Sequence, residues 1–186
     1  LEPRILECNA QDLSNTVYAY AVVGFEASDL FETIAAAAPL RIHEFKSQEL
    51  ANTAWAFATA YLTHQRLSAR SNQKDKAISC HHCSSNTAYL LDAIAREATP
   101  RLASFKPQEL ANLAWSFSKL EGYSFRLRSK FIAAISLAAQ TRISQLDPHH
   151  LTVLAFSFSK AGIADSALFA ILAEEILSKR YLFNDI

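Results

Sequence analysis

Residues 46–58 read KSQELANTAWAFA, and residues 106–118 read KPQELANLAWSFS, an offset of 60. A match this long at a fixed offset marks a repeat, and a repeat fixes the class of architecture before any single residue is weighed. Fainter copies lie on either side. Residues 9–21 keep the acid (Asp12), the leucine (Leu13), the asparagine (Asn15) and both aromatics (Tyr18, Tyr20). Residues 147–159 keep Leu151, Phe156 and Phe158 but lose the acid and the asparagine. Four units follow, at about 9–45, 46–105, 106–146 and 147–183.

Each unit reads as two helices. Leu13, Val17, Tyr20 and Ala21 fall on one face of a 3.6-residue period, so a helix is expected from about Ala10 to Val23, closed by Gly24. Ser28 or Asp29 is the expected cap of its partner, which runs towards Phe45 with a kink or break at Pro39. The second unit repeats the first helix from Ser47 to about Leu62 and resumes near Asn86, reaching Phe105 past Pro100. Between them, 63–87 is polar and reads as a loop insertion. In the third unit Pro107 starts a helix that Gly122 ends, and 125–146, carrying Phe131, Ile132, Ile135, Leu137 and Ile143, supplies its partner. Asp147-Pro148 starts the fourth unit, Gly162 closes its first helix, and 165–183 is the last.

The expected fold is therefore all-α: a right-handed-type α-solenoid of four helix-turn-helix repeats, about eight helices in one repeat domain. Residues 4–8 align with 41–45, and 183–186 with the approach to the second copy, so the chain reads as a fragment of a longer array. Composition agrees: 51% of residues are hydrophobic, with 3 Gly, 5 Pro and no Met. Three cysteines do not suggest a secreted disulfide framework. No apolar run reaches the roughly 18 residues that span a bilayer.

The QELANTAWAFA phrase, its alanine-rich helix and the closing Arg-x-x-x-Phe (Arg41 to Phe45, Arg101 to Phe105) resemble the octotricopeptide repeat. They are also similar to the helical repeats beside RAP domains in organelles of algae and protists. The resemblance covers nearly all of the chain outside 63–87. It is specific at 48–58 and 108–118, fair at 11–21 and weak at 150–159. It implies an α-solenoid that binds RNA in a mitochondrion or chloroplast and supports transcript maturation, stability, translation or ribosome assembly. The alternative is a protein–protein scaffold subunit of a large organellar complex without direct RNA contact.

In modular RNA-binding solenoids the first helix of each unit reads bases with polar side chains. The candidates here are Asn15 with Thr16, Asn52 with Thr53, and Asn112; the fourth unit has Val153 and Leu154 instead. The other reading is that each Asn bonds the adjacent unit's backbone and fixes the stacking. Tyr18, Trp55, Trp115 and Phe156 share one register and Tyr20, Phe57, Phe117 and Phe158 a second. Either could stack on bases, although aromatics at a constant helical position are usually core. Charge is uneven, at net −5 over 1–62, +7 over 63–142 and −2 over 143–186. The basic middle includes Arg66, Arg70, Lys74, Lys76, Arg101, Lys106, Lys119, Arg126, Arg128 and Lys130, which suits phosphate or an acidic protein. Arg41, Arg101 and Arg142 recur once per unit and could form a phosphate ladder or cap the preceding helix end. Cys80 and Cys83 supply two of the four ligands a closed zinc site needs, with His81 and His82 between them, and a loop with free thiols is expected instead. No phosphate loop, activated nucleophile or inward carboxylate pair is evident. Neither an enzyme, a small-molecule substrate nor a cofactor is expected.

Overall fold

A computed structural model describes residues 2–5, 7–70, 84–120 and 128–180. Among these, all regular structure is helical. A single turn, α1 (Glu2–Ile5), precedes α2 (Ala10–Val23), α3 (Ser28–Ala37), α4 (Ser47–Arg70) and α5 (Ser85–Ala98). Then come α6 (Pro107–Lys119), α7 (Arg128–Gln140), α8 (Pro148–Lys160) and α9 (Ser166–Ser178). The tightest packing joins alternate helices of one layer, α2 to α4, α4 to α6 and α6 to α8; in the other layer α3 packs on α5, while α5 to α7 and α7 to α9 touch only lightly. The chain is thus a two-layered helical array. No described helix is long and apolar enough to cross a membrane.

The repeated residues explain why the units stack alike. Leu50, Ala51, Ala54, Phe57 and Ala58 are buried, as are Leu110, Ala111, Ala114 and Phe117 at the same register. Alanine lets the first helices approach, and leucine and phenylalanine fill the space between layers. Phe57 meets Phe31 edge-on at 5.0 Å, and Phe117 meets Phe131 at 4.7 Å, so aromatic pairs key α4 to α3 and α6 to α7. Phe158 is equally buried. The second aromatic register is therefore core, with one exception: Tyr20, in the first unit, is exposed and leans on Phe25.

Three local expectations need correcting. The helix expected to stop near Leu62 continues as α4 to Arg70, because 63–70 holds no proline or glycine and His64 reaches back to Glu26 at 3.4 Å. The cap of α3 is Ala27, without a side-chain bond; Ser28 and Asp29 already lie inside the first turn. Leu137, expected inward, is 65% exposed, because Phe131, Ile132, Ile135 and Ile143 already fill the buried face.

The prolines act as expected. α3 gives way at Ala38 to a 3₁₀ turn (Ala38–Glu44), and α5 gives way at Thr99 to another (Thr99–Ser104). Gly24 and Gly162 take left-handed φ values of 68° and 73°, closing α2 and α8. The next amide in each case, Phe25 or Ile163, donates back to Tyr20 or Phe158. The expected stop at Gly122 and the start of its partner at 125 lie outside the described residues, as does 183–186.

Candidate nucleic-acid interface

Each unit's acid is spent at its own helix start. The Glu49 carboxylate accepts from the Lys46 amide at 2.8 Å, Glu109 from the Lys106 amide at 2.8 Å, and Asp12 from the Asn9 amide at 3.0 Å. These are capping-box bonds to orphan helix donors. The fourth unit keeps the function and moves the acid, for Asp147 is now the cap itself. It accepts from the His150 amide at 2.8 Å and pairs with His150 Nδ1 at 2.7 Å. Burial pushes the Asp147 carboxyl up, but the His150 amide and the charges of both histidines outweigh it and hold the group below its usual range.

The recurring arginines lie where the second reading of their spacing put them, at the ends of preceding segments. Arg41 donates to the Cys8 carbonyl at 2.6 Å, Arg101 to the Phe45 carbonyl at 3.0 Å, and Arg142 to the carbonyls of Phe105 and Ala103. Each reaches the residue that ends the previous unit, so the guanidinium is a staple between units. Sequence reasoning missed a fourth member. Lys179 Nζ donates to the Leu146 and Ser144 carbonyls at 2.6 and 2.8 Å, doing at the last boundary what arginine does at the others. Its equivalence could have been found by aligning the ends of the second helices rather than by searching for arginine. Arg41 also pairs with Glu44 at 2.8 Å, which raises the arginine and holds the glutamate below its ordinary range.

The other basic candidates divide. Arg128 Nε and its terminal nitrogen donate to the Phe117 and Ser118 carbonyls at 2.9 and 3.2 Å, satisfying the C-terminal end of α6. Lys130 is exposed on α7, in the second-helix layer beside Arg96 and Thr99. Lys106 is exposed at the start of α6. Arg126, Lys74, Lys76 and the Cys80–Cys83 segment lie outside the described residues. Among the described residues no group of three or more metal-binding side chains converges.

The first-helix layer carries a regular outward stripe. Gln11, Asn15, Tyr18 and Val22 follow one another at four-, three- and four-residue steps on α2. The same positions are Gln48, Asn52, Trp55 and Thr59 on α4, Gln108, Asn112, Trp115 and Lys119 on α6, and His149, Val153, Phe156 and Lys160 on α8. Such steps place all four on one helix face. Asn15 is exposed and Asn52 and Asn112 are half-buried; none of the three side chains makes a hydrogen bond to a described residue. The expected alternative role, bonding the adjacent unit's backbone, belongs instead to Ser14, whose hydroxyl donates to the Glu49 carbonyl at 3.1 Å. Thr16 turns back on the Asp12 carbonyl at 2.7 Å, and Thr53 is only 1% exposed. Neither threonine belongs to the stripe.

The first aromatic register is on the surface. Tyr18 is 40% and Phe156 49% exposed, with Trp55 and Trp115 half-buried between them. Tyr18 lies 5.2 Å from Trp55, and Trp55 stacks on Trp115 at 6.3 Å and 28°. The layer around this ladder is poor in negative charge. α2, α4 and α6 hold one acid each, all engaged as caps, and α8 holds none. The second helices hold Asp29, Glu32, Asp92, Glu97, Glu174 and Glu175. Stacking faces, amides that bond no described residue, and the Lys119 ammonium, with the acids committed to caps, make a surface able to take an unpaired, negatively charged strand. No family model matches the chain, and no curated protein matches it.

Proposed function

We propose that the array is an α-solenoid of four helical repeats that binds single-stranded RNA along the outward stripe of α2, α4, α6 and α8. The observation that carries this reading is the half-exposed ladder Tyr18–Trp55–Trp115, flanked by asparagines whose side chains bond no described residue. Bases stack on such rings at about 1–3 kcal/mol each. The amides offer edge contacts, and Lys106 and Lys119 offer phosphate contacts. The arginine staples hold the rungs in register and act on the site only through geometry. The role is one of binding rather than catalysis, needing no cofactor. By the resemblance of its QELANTAWAFA phrase, the chain serves transcript maturation, stability, translation or ribosome assembly in a mitochondrion or chloroplast.

Titration of the full chain with single-stranded organellar RNA, followed by tryptophan emission, tests the reading. Quenching that weakens with salt is expected; a folded sample that binds no such RNA at low salt refutes it. A protein scaffold is the second reading, and one observation favours it. Val22, Val23 and Phe25 are exposed together at the end of α2, beside a strongly acidic first unit. Crosslinks confined to protein partners, with no RNA, would be its signature.

A further inference from the structure

The aromatic ladder has one interruption. Tyr18 touches Trp55 and Trp55 touches Trp115, but among the described residues Trp115 and Phe156 make no ring contact. Lys119 reaches across the place where the next ring pair would form. Its ammonium is 4.2 Å from the centre of the Phe156 ring and 5.9 Å from that of Trp115. The lysine lies one turn after Trp115 on α6, so its stem covers the same face before it bridges to α8.

Elsewhere the rings offer their exposed outer surfaces but are closed to insertion, because rings already in contact must part before a base enters between them. Here the occupant is a flexible chain. At an exposed site a cation over a ring is held by a factor of only about two to five. A stacked base is worth about 5- to 150-fold in affinity. We propose that the gap between Trp115 and Phe156 is an insertion site for one unstacked nucleobase, and that the entering base moves the Lys119 ammonium from the rings onto the adjoining phosphate. This deepens the RNA reading and rests on it.

Charge favours a polyanion as the occupant. The only acid on α6 or α8 is Glu109, which is engaged as a cap, and Asp147 at the start of α8 is engaged by His150. The residue one turn before Phe156 is Val153, where the other units have asparagine. The site therefore grips a base by its faces and lacks the amide that would read an edge. It should favour purines for their larger stacking area and discriminate poorly between adenine and guanine.

The test titrates the unaltered full chain with a 5′-labelled eight-nucleotide oligoadenylate, followed by anisotropy of the label, and uses Trp55→Phe only as a second background in which Trp115 is the one tryptophan. Phe156 is half-exposed, so Phe156→Ala spares the core; Lys119→Met keeps the stem and removes the charge. Oligoadenylate should quench Trp115, and Phe156→Ala should weaken binding at least about five-fold. Lys119→Met should weaken it and lower the salt slope by about 0.7, one phosphate contact. Should Phe156→Ala lose helicity, the salt slope of Lys119→Met decides alone. Binding by the parent with unchanged affinity and slope in both variants overturns the insertion site and leaves the RNA reading standing. No binding by the parent overturns both.

Discussion

Replacing Arg101 with alanine removes one rung of the staple between units, and the structure sets the scale of the loss. The guanidinium donates to the Phe45 carbonyl at 3.0 Å across 56 residues of sequence. A hydrogen bond from a charged group contributes about 1.5–3 kcal/mol, and exposure of a third of the side chain places this one at the low end. The Glu97 pair at 3.5 Å adds about 0.3–0.5 kcal/mol as an i,i+4 contact. Against these, Arg101 Nε is buried without a partner, a penalty of about 1 kcal/mol that alanine relieves. The net expectation is a loss of about 1 kcal/mol. With a denaturant slope near 2 kcal/mol/M, the urea midpoint falls by roughly 0.5 M. Arg101→Lys is the informative partner, because Lys179 already makes this contact at the last boundary; it should keep half or more of the stability. An alanine variant within about 0.5 kcal/mol of the parent, or a lysine variant no better than alanine, refutes the staple. A phosphate ligand would behave in the opposite way, with stability kept and RNA affinity lost.

Three further outcomes follow from the same geometry. Asn52→Ala and Asn112→Ala break no hydrogen bond to a described residue, so thermal stability should stay within about 0.5 kcal/mol while RNA affinity falls, measured by melting and titration side by side. Phe117→Ala empties a fully buried site against Phe131 and should cost about 3–5 kcal/mol by urea titration. Asp147 is held below its usual range in the fold, so its stabilisation is present above the unfolded value and disappears as pH falls through the lower folded one. Hydrogen exchange at the His150 amide should accelerate over that acid range, and Asp147→Asn, which keeps the acceptor, should remove the dependence.

The fold was legible because the units need the same things. Leucine and phenylalanine at constant register, the acid three residues after the cap, and proline or glycine at the ends each have a local cause, and each appears where its spacing puts it. The candidate site was less legible, since a repeated residue can be repeated for stacking or for binding. Asparagine and arginine both recur, and the sequence left both readings open for each. Only the structure shows that the asparagine side chains bond no described residue while the arginines are tied to carbonyls of the preceding unit. The staple of the fourth unit hid because lysine replaces the arginine there.

Charge is the case where reading along the chain misleads. Cut by segments, the chain has a basic middle between acidic ends, which groups Arg101, Arg126, Arg128 and Lys130 together. Cut by layers, the division is different. The first helices keep only acids that are committed to their own amides, and the second helices hold six further carboxylates. The layering follows from the alternation of helices, so neighbours in sequence are assigned to opposite surfaces. A strand lying across the first helices would meet Lys119 and the unbonded asparagines, while Lys130, eleven residues beyond Lys119, belongs to the other layer. The variation that matters for a ligand then lies in the last position of the stripe, which runs Val22, Thr59, Lys119, Lys160. From first unit to last, the stripe becomes more basic as it loses its asparagine. If the stripe binds RNA as proposed, phosphate contacts would concentrate at Lys119 of α6 and edge contacts at the asparagines of α2, α4 and α6, so strength and edge recognition would not vary together along the array.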